Sequence, residues 1–462
     1  MHFPYIEYKT YIDKSRKRIF FMNKENLKKL CLQSIDAHKE DIIALGEDIF
    51  RHPELGFKER RTSQIFSDTL EELGIPCRKG IARTGVKGRL AGAEPGPNVM
   101  LMGELDAVVS PLHPCADPET GAAHACGHNS QIAAVLGAAM GLAPLKGLLG
   151  GDVTFAAVPA EEYVELEFRQ SLQEKGEIEF MGGKQEFVRL GVLEDVDMGL
   201  MIHSHAGVTE RRFLLDCFSS GFIGKVIRFT GKEAHAGSRP FDGINALNAA
   251  ALSLLAIGIQ RETFREADRI RIHPIITKGG DLVNIVPADV RMETYVRGMS
   301  MEAILSASEK VNRCLKGSAY SIGAGVEIDE LPGYMPLHQD KTLSRLFAEN
   351  GERLLGPDTG IWGEELLGST DAGDLSALMP FIHVSTGGYA GDAHAKNFTI
   401  CDKEMAYVMP AKAMALTVID LLYDKGETAR SIRKNFVPRF TRESYLAFWD
   451  KFRRGETCGD GF

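Results

Sequence analysis

Strand-like runs alternate with helical runs in the first half of the chain, and this alternation constrains the fold more than any other feature. Val99–Met102, Val153–Val158 and Met198–Ile202 have the composition of buried strands, and residues 130–142 are apolar nearly all round, which predicts a buried helix. Alternating strands and helices indicate an α/β fold with a mainly parallel sheet. Such sheets bind ligands beyond the C-terminal ends of their strands.

Acidic and imidazole side chains stand at those predicted strand ends. Glu104 ends the first strand, Glu161 and Glu162 follow the second, and His203 and His205 follow the third. The two histidines compete for one position, and His203 is favoured because it ends the strand directly. The agreement between residue type and position predicts an active site at this edge of the sheet.

A short run, His124-Ala-Cys-Gly-His-Asn129, is typical of a metal site. Cys126 and His128 are two residues apart, so in an extended or turn segment both can face one point. A thiolate and an imidazole suit zinc or a similar divalent ion. Cysteine is also a common small core residue, so the pair alone leaves both interpretations open. Asp106 could orient His128 from behind or cap a loop.

A chain of 462 residues is too long for one hydrophobic core. The pattern of apolar and polar residues changes near residue 217, which indicates a second domain. The order strand, helix, strand, strand, helix, strand predicts a ferredoxin-like α+β unit inserted into the first domain. The predicted strands are 222–230, 269–277, 290–297 and about 325–331, and the predicted helices are 244–259 and 301–315. The predicted division is an N-terminal extension (1–23), a catalytic domain in two parts (24–215 and 333–435), the inserted domain (216–332) and a C-terminal tail (436–462).

Composition excludes several classes of partner. The net charge of −9 and the absence of a basic stripe argue against nucleic acid. The sequence has no apolar run of 18 residues, so no membrane span is expected. The eight cysteines are scattered, which is typical of a reduced, cytoplasmic protein. Residues 1–21 are basic and aromatic without a signal-peptide core, and we expect them to be either a dispensable extension or an upstream mis-start.

Taken together, these motifs resemble the aminoacylase/carboxypeptidase family of two-metal peptidases. Within it, the chain is similar to the branch that holds indole-acetyl-amino-acid hydrolases and aminobenzoyl-glutamate hydrolases. The resemblance runs from about residue 40 to 425 and rests on Arg51-His-Pro-Glu-Leu-Gly-Phe57, Glu104-Leu-Asp-Ala107, His124-Ala-Cys-Gly-His128, Pro159-Ala-Glu-Glu162, Gly231-Lys-Glu-Ala-His235, Asn284-Ile-Val-Pro287 and the Gly368–Asp374 loop.

The resemblance implies a zinc-peptidase-like catalytic domain with two divalent ions, manganese or zinc, and Glu161 as the general base. Asn129, beside the ligands, and Glu104 stand where many members have Asp, and both variants are more similar to the aminobenzoyl-glutamate and dipeptide-hydrolase side of the branch. They leave the metal and the substrate open. The implied ligands are Cys126, His128, Glu162, His203 and His394.

The resemblance also implies that the inserted domain is a lid and a dimerisation module, so that the protein is a homodimer. His235 would then serve the partner's active site, although it could instead serve its own subunit or cap the following helix. A substrate with a free carboxylate should require Asn284 and His235, together with Arg239 or Arg297.

The chemistry of amide hydrolysis agrees with these residue types. A bound divalent ion lowers the pKa of water to about 7 and polarises a carbonyl. Glu161 and Glu162 are adjacent, so one side chain can bind metal while the other moves a proton. We therefore predict a metal-dependent amidohydrolase that cleaves N-acyl or N-aroyl amino acids or small dipeptides. The alternatives are a deacetylase or desuccinylase of a biosynthetic amine and a binding protein with a decayed site. The polar segment 163–182 is expected to shape the acyl pocket.

Overall fold

The protein divides into two compact units. The computed structural model describes residues 23–366, 368–453 and 456–458. The first unit runs to Cys217 and includes Gln339–Glu364 and Leu378–Pro438; the second comprises Phe218–His338, Glu365–Ala377 and the residues from Arg439 onward. The second unit thus takes in 365–377 and the tail, which the sequence analysis assigned outside the inserted segment. The predicted N-terminal extension lies outside the described residues, apart from Asn23.

Elements are numbered in chain order within the described residues. The strands are β1 Cys77–Ile81, β2 Gly85–Leu90, β3 Asn98–Glu104, β4 Val108–Val109, β5 Ala122–Ala123, β6 Asp152–Val158, β7 Met198–Ser204, β8 Phe213–Leu215, β9 Phe218–Ser219, β10 Gly221–Thr230, β11 Arg271–Ile272, β12 Ile275–Lys278, β13 Asp289–Gly298, β14 Gly325–Leu331, β15 Gly360–Trp362, β16 Glu365–Leu366, β17 Phe381–Thr386, β18 Tyr389–Ala390, β19 Thr399–Ile400 and β20 Glu456–Cys458. The helices are α1 Lys24–Ala37, α2 Lys39–Phe50, α3 Arg60–Glu72, α4 His128–Leu142, α5 Leu166–Glu174, α6 Gly183–Arg189, α7 Ala246–Ile259, α8 Met301–Ile322, α9 Lys341–Leu355, α10 Ala372–Ser376, α11 Met409–Leu422, α12 Glu427–Asn435 and α13 Arg442–Asp450.

The first unit is built on a sheet with the strand order β1-β2-β6-β3-β7-β17-β8-β15. The four central strands, β6, β3, β7 and β17, are parallel, and β2 and β8 flank them antiparallel. The sheet is therefore mixed, with the parallel centre that the sequence predicted and antiparallel pairs toward its edges. The β1–β2 pair is antiparallel because a tight turn through Ala82 and Arg83, both at positive φ, joins the two strands without a helical crossover.

Helix α4 is buried along its whole length and packs between the sheet and helices α1, α2 and α11. Gly137 allows this close approach, because a Cβ at that position would lie 2.9 Å from the Cβ of Ala411. The helical segments 128–148 and 404–422 are long and apolar enough to cross a membrane, but 72% and 100% of their apolar windows are buried inside the protein. We interpret both segments as core helices.

The apolar periodicity of residues 24–51 predicts one long helix, but the structure has two helices there. The backbone leaves helical geometry at His38, between α1 and α2. The Nδ1 atom of His38 lies 3.2 Å from Oδ2 of Asp41 in the first turn of α2, so this side chain supports the start of the second helix. The apolar periodicity continues across the break, which is why the sequence pattern did not reveal it.

The second unit has a sheet in which β13 pairs with β11 and β12 on one side and with β10 on the other, followed by β14 and β20. The β12–β13, β13–β10 and β10–β14 pairs are all antiparallel. Helices α7 and α8 pack against these strands, as in a split βαβ arrangement. The predicted strand 269–277 is interrupted near Pro274, which has no N–H to donate to the ladder. The tail adds α13, whose Tyr445 hydroxyl donates to Asp374 at 2.7 Å.

Candidate metal centre

Five side chains from distant parts of the first unit meet beyond the C-terminal ends of the central strands. The ligand atoms of Cys126, His128 and His203 all lie within 4.8 Å of one another. The same holds for the ligand atoms of Cys126, Glu162 and His394. The sulfur of Cys126 is thus common to two groups of three.

The separations within these groups suit ligands that share an ion. Sγ of Cys126 lies 3.5 Å from Nε2 of His203 and 3.3 Å from Nε2 of His394. Nε2 of His394 is 3.2 Å from Oε1 of Glu162. Two ligand atoms at roughly 2.0–2.3 Å from a tetrahedral ion are about 3.3–3.7 Å apart. Sulfur, nitrogen and oxygen donors together favour a borderline divalent cation such as zinc.

The hydrogen bonds behind two of the histidines fix which ring nitrogen faces the cluster. Nδ1 of His128 donates to the carbonyl of Asp106 at 2.9 Å, and Nδ1 of His203 donates to the carbonyl of Ser204 at 2.8 Å. Each ring therefore has Nε2 available for a metal, the usual arrangement in metal sites. Nε2 of His128 lies 2.9 Å from Oε2 of Glu104, and Oε1 of Glu162 lies 3.2 Å from Nε2 of His394, yet neither Nε2 of His128 nor Oε1 of Glu162 has a hydrogen bond of good geometry within the described residues. Buried ligand atoms that are close together without such hydrogen bonds fit a site built for a cation.

The electrostatics of the cluster also favour a cation. Burial raises the pKa of the Cys126 thiol well above its usual value, and the charge of Glu162 adds to this effect. Burial disfavours a charge on His128, but the charges of Glu104 and Cys126 and the hydrogen bond to Asp106 together outweigh it and hold the pKa of the imidazole well above its usual value. A divalent ion in this position would stabilise the thiolate and take the place of the imidazole proton.

Local backbone geometry sets Cys126 and His128 against the end of β7. Gly127, between them, has φ +79°, and a Cβ there would lie 2.6 Å from the Cβ of Ser204. The hydroxyl of Ser204 donates to the carbonyl of Cys126 at 2.6 Å. Because only glycine fits this conformation and this contact, the short run described in the sequence folds as one rigid turn into α4.

His394 approaches the cluster from a separate loop after β18. It also has a left-handed backbone, with φ +62°, and its N–H donates to the carbonyl of Ala125 at 2.9 Å. About half of its side chain is exposed, whereas Cys126, His128 and Glu162 are buried and His203 is partly buried. The cluster is therefore open to solvent on the His394 side.

The loop after β6 carries the two adjacent carboxylates. Asp106 accepts the backbone N–H of Glu161 at 3.1 Å and of Glu162 at 2.9 Å. Its carboxylate also lies 3.5 Å from Nδ1 of His128, so its position is compatible with both roles that the sequence left open. Oε2 of Glu161 is 4.0 Å from Nε2 of His128, and Glu161 belongs to a third group with Glu104 and His128.

Sequence reasoning missed the partner of Glu104. Lys184, which is fully buried, places its Nζ 2.6 Å from Oε1 of Glu104, and Gln131 donates to Oε2 at 2.7 Å. Burial works against the charge of Glu104, but Lys184 and then His128 hold its pKa well below the usual range. The pair leaves no sequence signal, because the two charged residues are 80 positions apart.

Three other candidate residues of the first unit lie outside the cluster. His205 follows β7 and donates its N–H to Thr386, and within the described residues it joins none of the three groups. Asn129 donates to the carbonyl of Gly46 on α2 and to the hydroxyl of Tyr407 in the helical segment 404–408. Its side-chain amide therefore contacts neighbouring helices. His124 is buried, and burial, with a smaller effect of His128, lowers its pKa to about 3.

The candidate substrate-binding residues lie in the second unit. His235, Arg239 and Asn284 are exposed and lie on neighbouring loops, since His235 forms a bridge with Ile285 and the carbonyl of Asn284 accepts the N–H of Ala236. Arg297 lies at the other end of the β10–β13 pair, where Nη1 donates to Ser369 at 2.7 Å. The structure therefore groups the first three and separates them from Arg297.

Comparison with known proteins gives matches along most of the chain. The profile described as "Peptidase family M20/M25/M40" matches residues 100–417. The chain is 29% identical to the Xaa-Arg dipeptidase of Mus musculus over 91% of this chain and 95% of that protein. It is 28% identical to the N-acyl-L-amino acid amidohydrolase of Geobacillus stearothermophilus over 68% and 81% of the two chains. A solved Bacillus subtilis structure, described as a dinuclear metal binding peptidase from M20 family, shares the fold with a TM-score of 0.64 and 24% identity, covering 84% of this chain and 99% of that one.

Proposed function

The chain belongs to peptidase family M20/M25/M40 and hydrolyses amide bonds with a divalent metal, and from this premise we propose that its substrates are N-acyl or N-aroyl amino acids or small dipeptides. The names of the two relatives support this range, because one refers to dipeptides and the other to N-acyl amino acids. The observation that carries the proposal is the position of Cys126, whose sulfur belongs to both groups of ligand atoms.

Two ions, zinc or manganese, would share Cys126. One would be held with His128 and His203, the other with Glu162 and His394. A thiolate can bridge two ions because sulfur has more than one lone pair. The fold shared with a structure described as dinuclear supports the count of two. When bound, such ions polarise the amide carbonyl and lower the pKa of water.

Glu161 would be the general base. It belongs to neither group that contains Cys126, yet its carboxylate lies 4.0 Å from Nε2 of His128 and borders the same cluster. A carboxylate in this position can take a proton from water and return it to the leaving amine. Asp106 holds the backbone of both glutamates, so the base and its ligand neighbour are set together.

The second unit would bind the free carboxylate of the substrate. His235, Arg239 and Asn284 together offer imidazole, guanidinium and amide donors, which suit a carboxylate. Arg297 is a weaker candidate because it is occupied by Ser369 and packs over Phe222.

We also propose that the protein is a homodimer formed by the second unit. Large apolar side chains are exposed on α7 and on β12, which lies at an edge of its sheet. Leu255 and Ile259 are 67% and 74% exposed, and Ile275 is 59% exposed. A second copy would cover this apolar surface. His235 would then complete the partner's active site.

A hydrolysis screen tests the proposed function. Metal-loaded enzyme is offered acetyl-, benzoyl- and aminobenzoyl-amino acids and dipeptides, and the released amino acid is measured. We expect release that a chelator abolishes and added zinc or manganese restores. Cleavage only of an acylated amine that lacks a carboxylate would favour a deacetylase or desuccinylase, and no cleavage of any amide would reject the proposal.

A variant with a matched control tests the role of Cys126. Cys126→Ser should lose activity at low metal concentration, because an alcohol is a far poorer ligand than a thiolate. Excess metal should restore part of it. Cys401→Ser, at an exposed cysteine, is the control and should behave like the unaltered protein. Equal metal affinity in the two variants would make Cys126 a packing residue.

A further inference from the structure

The loop that carries Glu161 and Glu162 has a backbone that its surroundings must hold in place. Ala160, directly before them, has φ +54°, a left-handed conformation that a non-glycine residue seldom adopts. Such a conformation persists only where neighbouring groups over-determine it. The groups that hold this loop therefore determine where the two carboxylates lie.

The N–H groups of the loop are held from one side by two carboxyl groups. Glu59 accepts the N–H of Ala160 at 2.8 Å, and Asp106 accepts the N–H groups of Glu161 and Glu162. The carbonyl groups of the same loop also accept backbone N–H groups, that of Ala160 from Gly183 at 3.3 Å and that of Glu162 from Val164 at 2.9 Å.

One buried guanidinium donates to both of these carbonyl groups and so joins them through a single side chain. Nη1 of Arg169 donates to the carbonyl of Met181 at 2.6 Å and to that of Ala160 at 3.4 Å, and Nη2 donates to the carbonyl of Glu162. Arg169 thus spans the loop from the residue before the glutamates to the second glutamate. It also ties the loop to the far end of the segment 163–182.

The site of Arg169 is built to receive a planar cation. Its side chain is 1% exposed and lies over the ring of Phe57, with 5.4 Å from Cζ to the ring centroid. Gly56 leaves the space that it needs, because a Cβ there would be 2.6 Å from Nη2. Burying a charge is costly unless it is well hydrogen-bonded. The three carbonyl groups that accept from the guanidinium offset this cost, so the position of Arg169 and the position of the loop depend on each other.

We propose that Arg169 is a positioning residue that sets Glu161 and Glu162 in their working geometry. The proposal rests on the proposed function, since it assigns these glutamates to metal binding and proton transfer. It also gives helix α5 a role different from the one expected from the sequence, which was to shape the acyl pocket. A guanidinium can reach several carbonyl groups with separate N–H donors in one plane, whereas the compact ammonium of lysine cannot.

The test compares Arg169 with Arg189, a part-buried arginine on α6 that forms an ion pair with Glu186. We expect Arg169→Lys to lower kcat about 100-fold, the loss typical of a misplacement of roughly 1 Å. KM should change little, because Arg169 lies under the loop. Zinc affinity, measured by competition with a chelating dye, should fall with kcat, because Glu162 is a ligand. Arg189→Lys should change neither quantity, and the two variants should melt at similar temperatures.

Arg169→Ala provides a second measurement, because it leaves a cavity of the right shape for guanidinium ion. Added guanidinium at millimolar concentration should recover part of the zinc affinity and of kcat, and sodium at the same ionic strength should not. Normal zinc affinity and kcat in Arg169→Lys would overturn the proposal, as would a failure of Arg169→Lys to fold. Zinc affinity distinguishes the positioning role of Arg169 from the proposed amidohydrolase function. If the unaltered protein cleaves no amide, the proposed function fails. Weaker zinc binding in Arg169→Lys would still support the positioning role in that case.

Discussion

Glu161 and Glu162 are adjacent in the chain but have different neighbours. Glu162 lies 3.2 Å from His394 and shares a group of ligand atoms with Cys126, whereas Glu161 shares its group with Glu104 and His128. We expect Glu161→Gln to lower kcat by roughly 10²–10⁴-fold, the usual effect of removing a general base. Steady-state kinetics and elemental analysis check this, and metal content should be unchanged. Turnover close to normal would reject Glu161 as the base.

Glu59 should make the stability of the protein depend on pH. Burial, and then the charge of Asp106, raise its pKa from 4.5 to about 8. The folded protein therefore keeps a proton that the unfolded chain has lost, so the stabilisation is full below pH 4.5 and is lost as the pH rises to 8. Glu59→Gln cannot ionise but retains an acceptor for the N–H of Ala160.

Thermal unfolding of both proteins at several pH values measures this effect. The melting temperature of Glu59→Gln, measured relative to that of the unaltered protein, should rise between pH 4.5 and 8. Above pH 8 the difference between the two melting temperatures should stay constant. Glu40→Gln, at an exposed carboxyl of α2, is the control. A difference between Glu59→Gln and the unaltered protein that does not change with pH would contradict the prediction.

Residues of the site were predictable where the sequence places them in a motif or at a strand end. The spacing of Cys126 and His128 and the place of His203 at the end of β7 needed no structure. Lys184 and Arg169 could not be found in this way. Their partners are a carboxylate 80 residues away and backbone carbonyl groups, and neither leaves a pattern in the sequence.

At the scale of elements, two helical glycines should respond in opposite ways to the same change. A Cβ at Gly137 in α4 would lie 2.9 Å from that of Ala411, whereas a Cβ at Gly317 in α8 would meet nothing within 4 Å. Gly317→Ala should stabilise by roughly 0.5–1 kcal/mol through helix propensity. Gly137→Ala should destabilise, because overpacking costs about 1–3 kcal/mol. Denaturant unfolding measures both, and stabilisation by Gly137→Ala would contradict the packing described for α4.

The bounds of the elements were predictable where one face is apolar and the period is clear. Strands β3, β6, β7 and β10 and helices α4 and α8 lie where the patterns predicted them, although α8 runs on to Ile322. Helix α5 was missed because its segment is rich in Glu and Gln and because its buried anchor is a charged residue, Arg169. The antiparallel β1–β2 pair was missed because a tight turn replaces a helical crossover there.

For the whole molecule, the family resemblance is confirmed by the profile match and by relatives that cover most of the chain. The amidohydrolase class is confirmed with it, while the dimer and the role of His235 stay predictions. They depend on a surface that no sequence pattern in a single chain identifies.

Subunit exchange tests the shared site. Glu161→Gln and His235→Ala are each expected to be nearly inactive. In a twofold dimer about half of the random pairs are mixed, and each mixed pair would contain one intact site if His235 acts on the partner. About a quarter of the unaltered activity should then return. No recovery, with exchange verified by mass spectrometry, would place His235 in its own subunit or outside the reaction.

The central claim is that one cysteine joins two metal positions. The most direct measurement is anomalous X-ray diffraction from crystals grown with zinc and, separately, with manganese. The account predicts two anomalous peaks roughly 3.5–4 Å apart, one beside His128 and His203 and one beside Glu162 and His394, with the sulfur of Cys126 bound to both. A single peak, or two peaks that Cys126 does not touch, would contradict it.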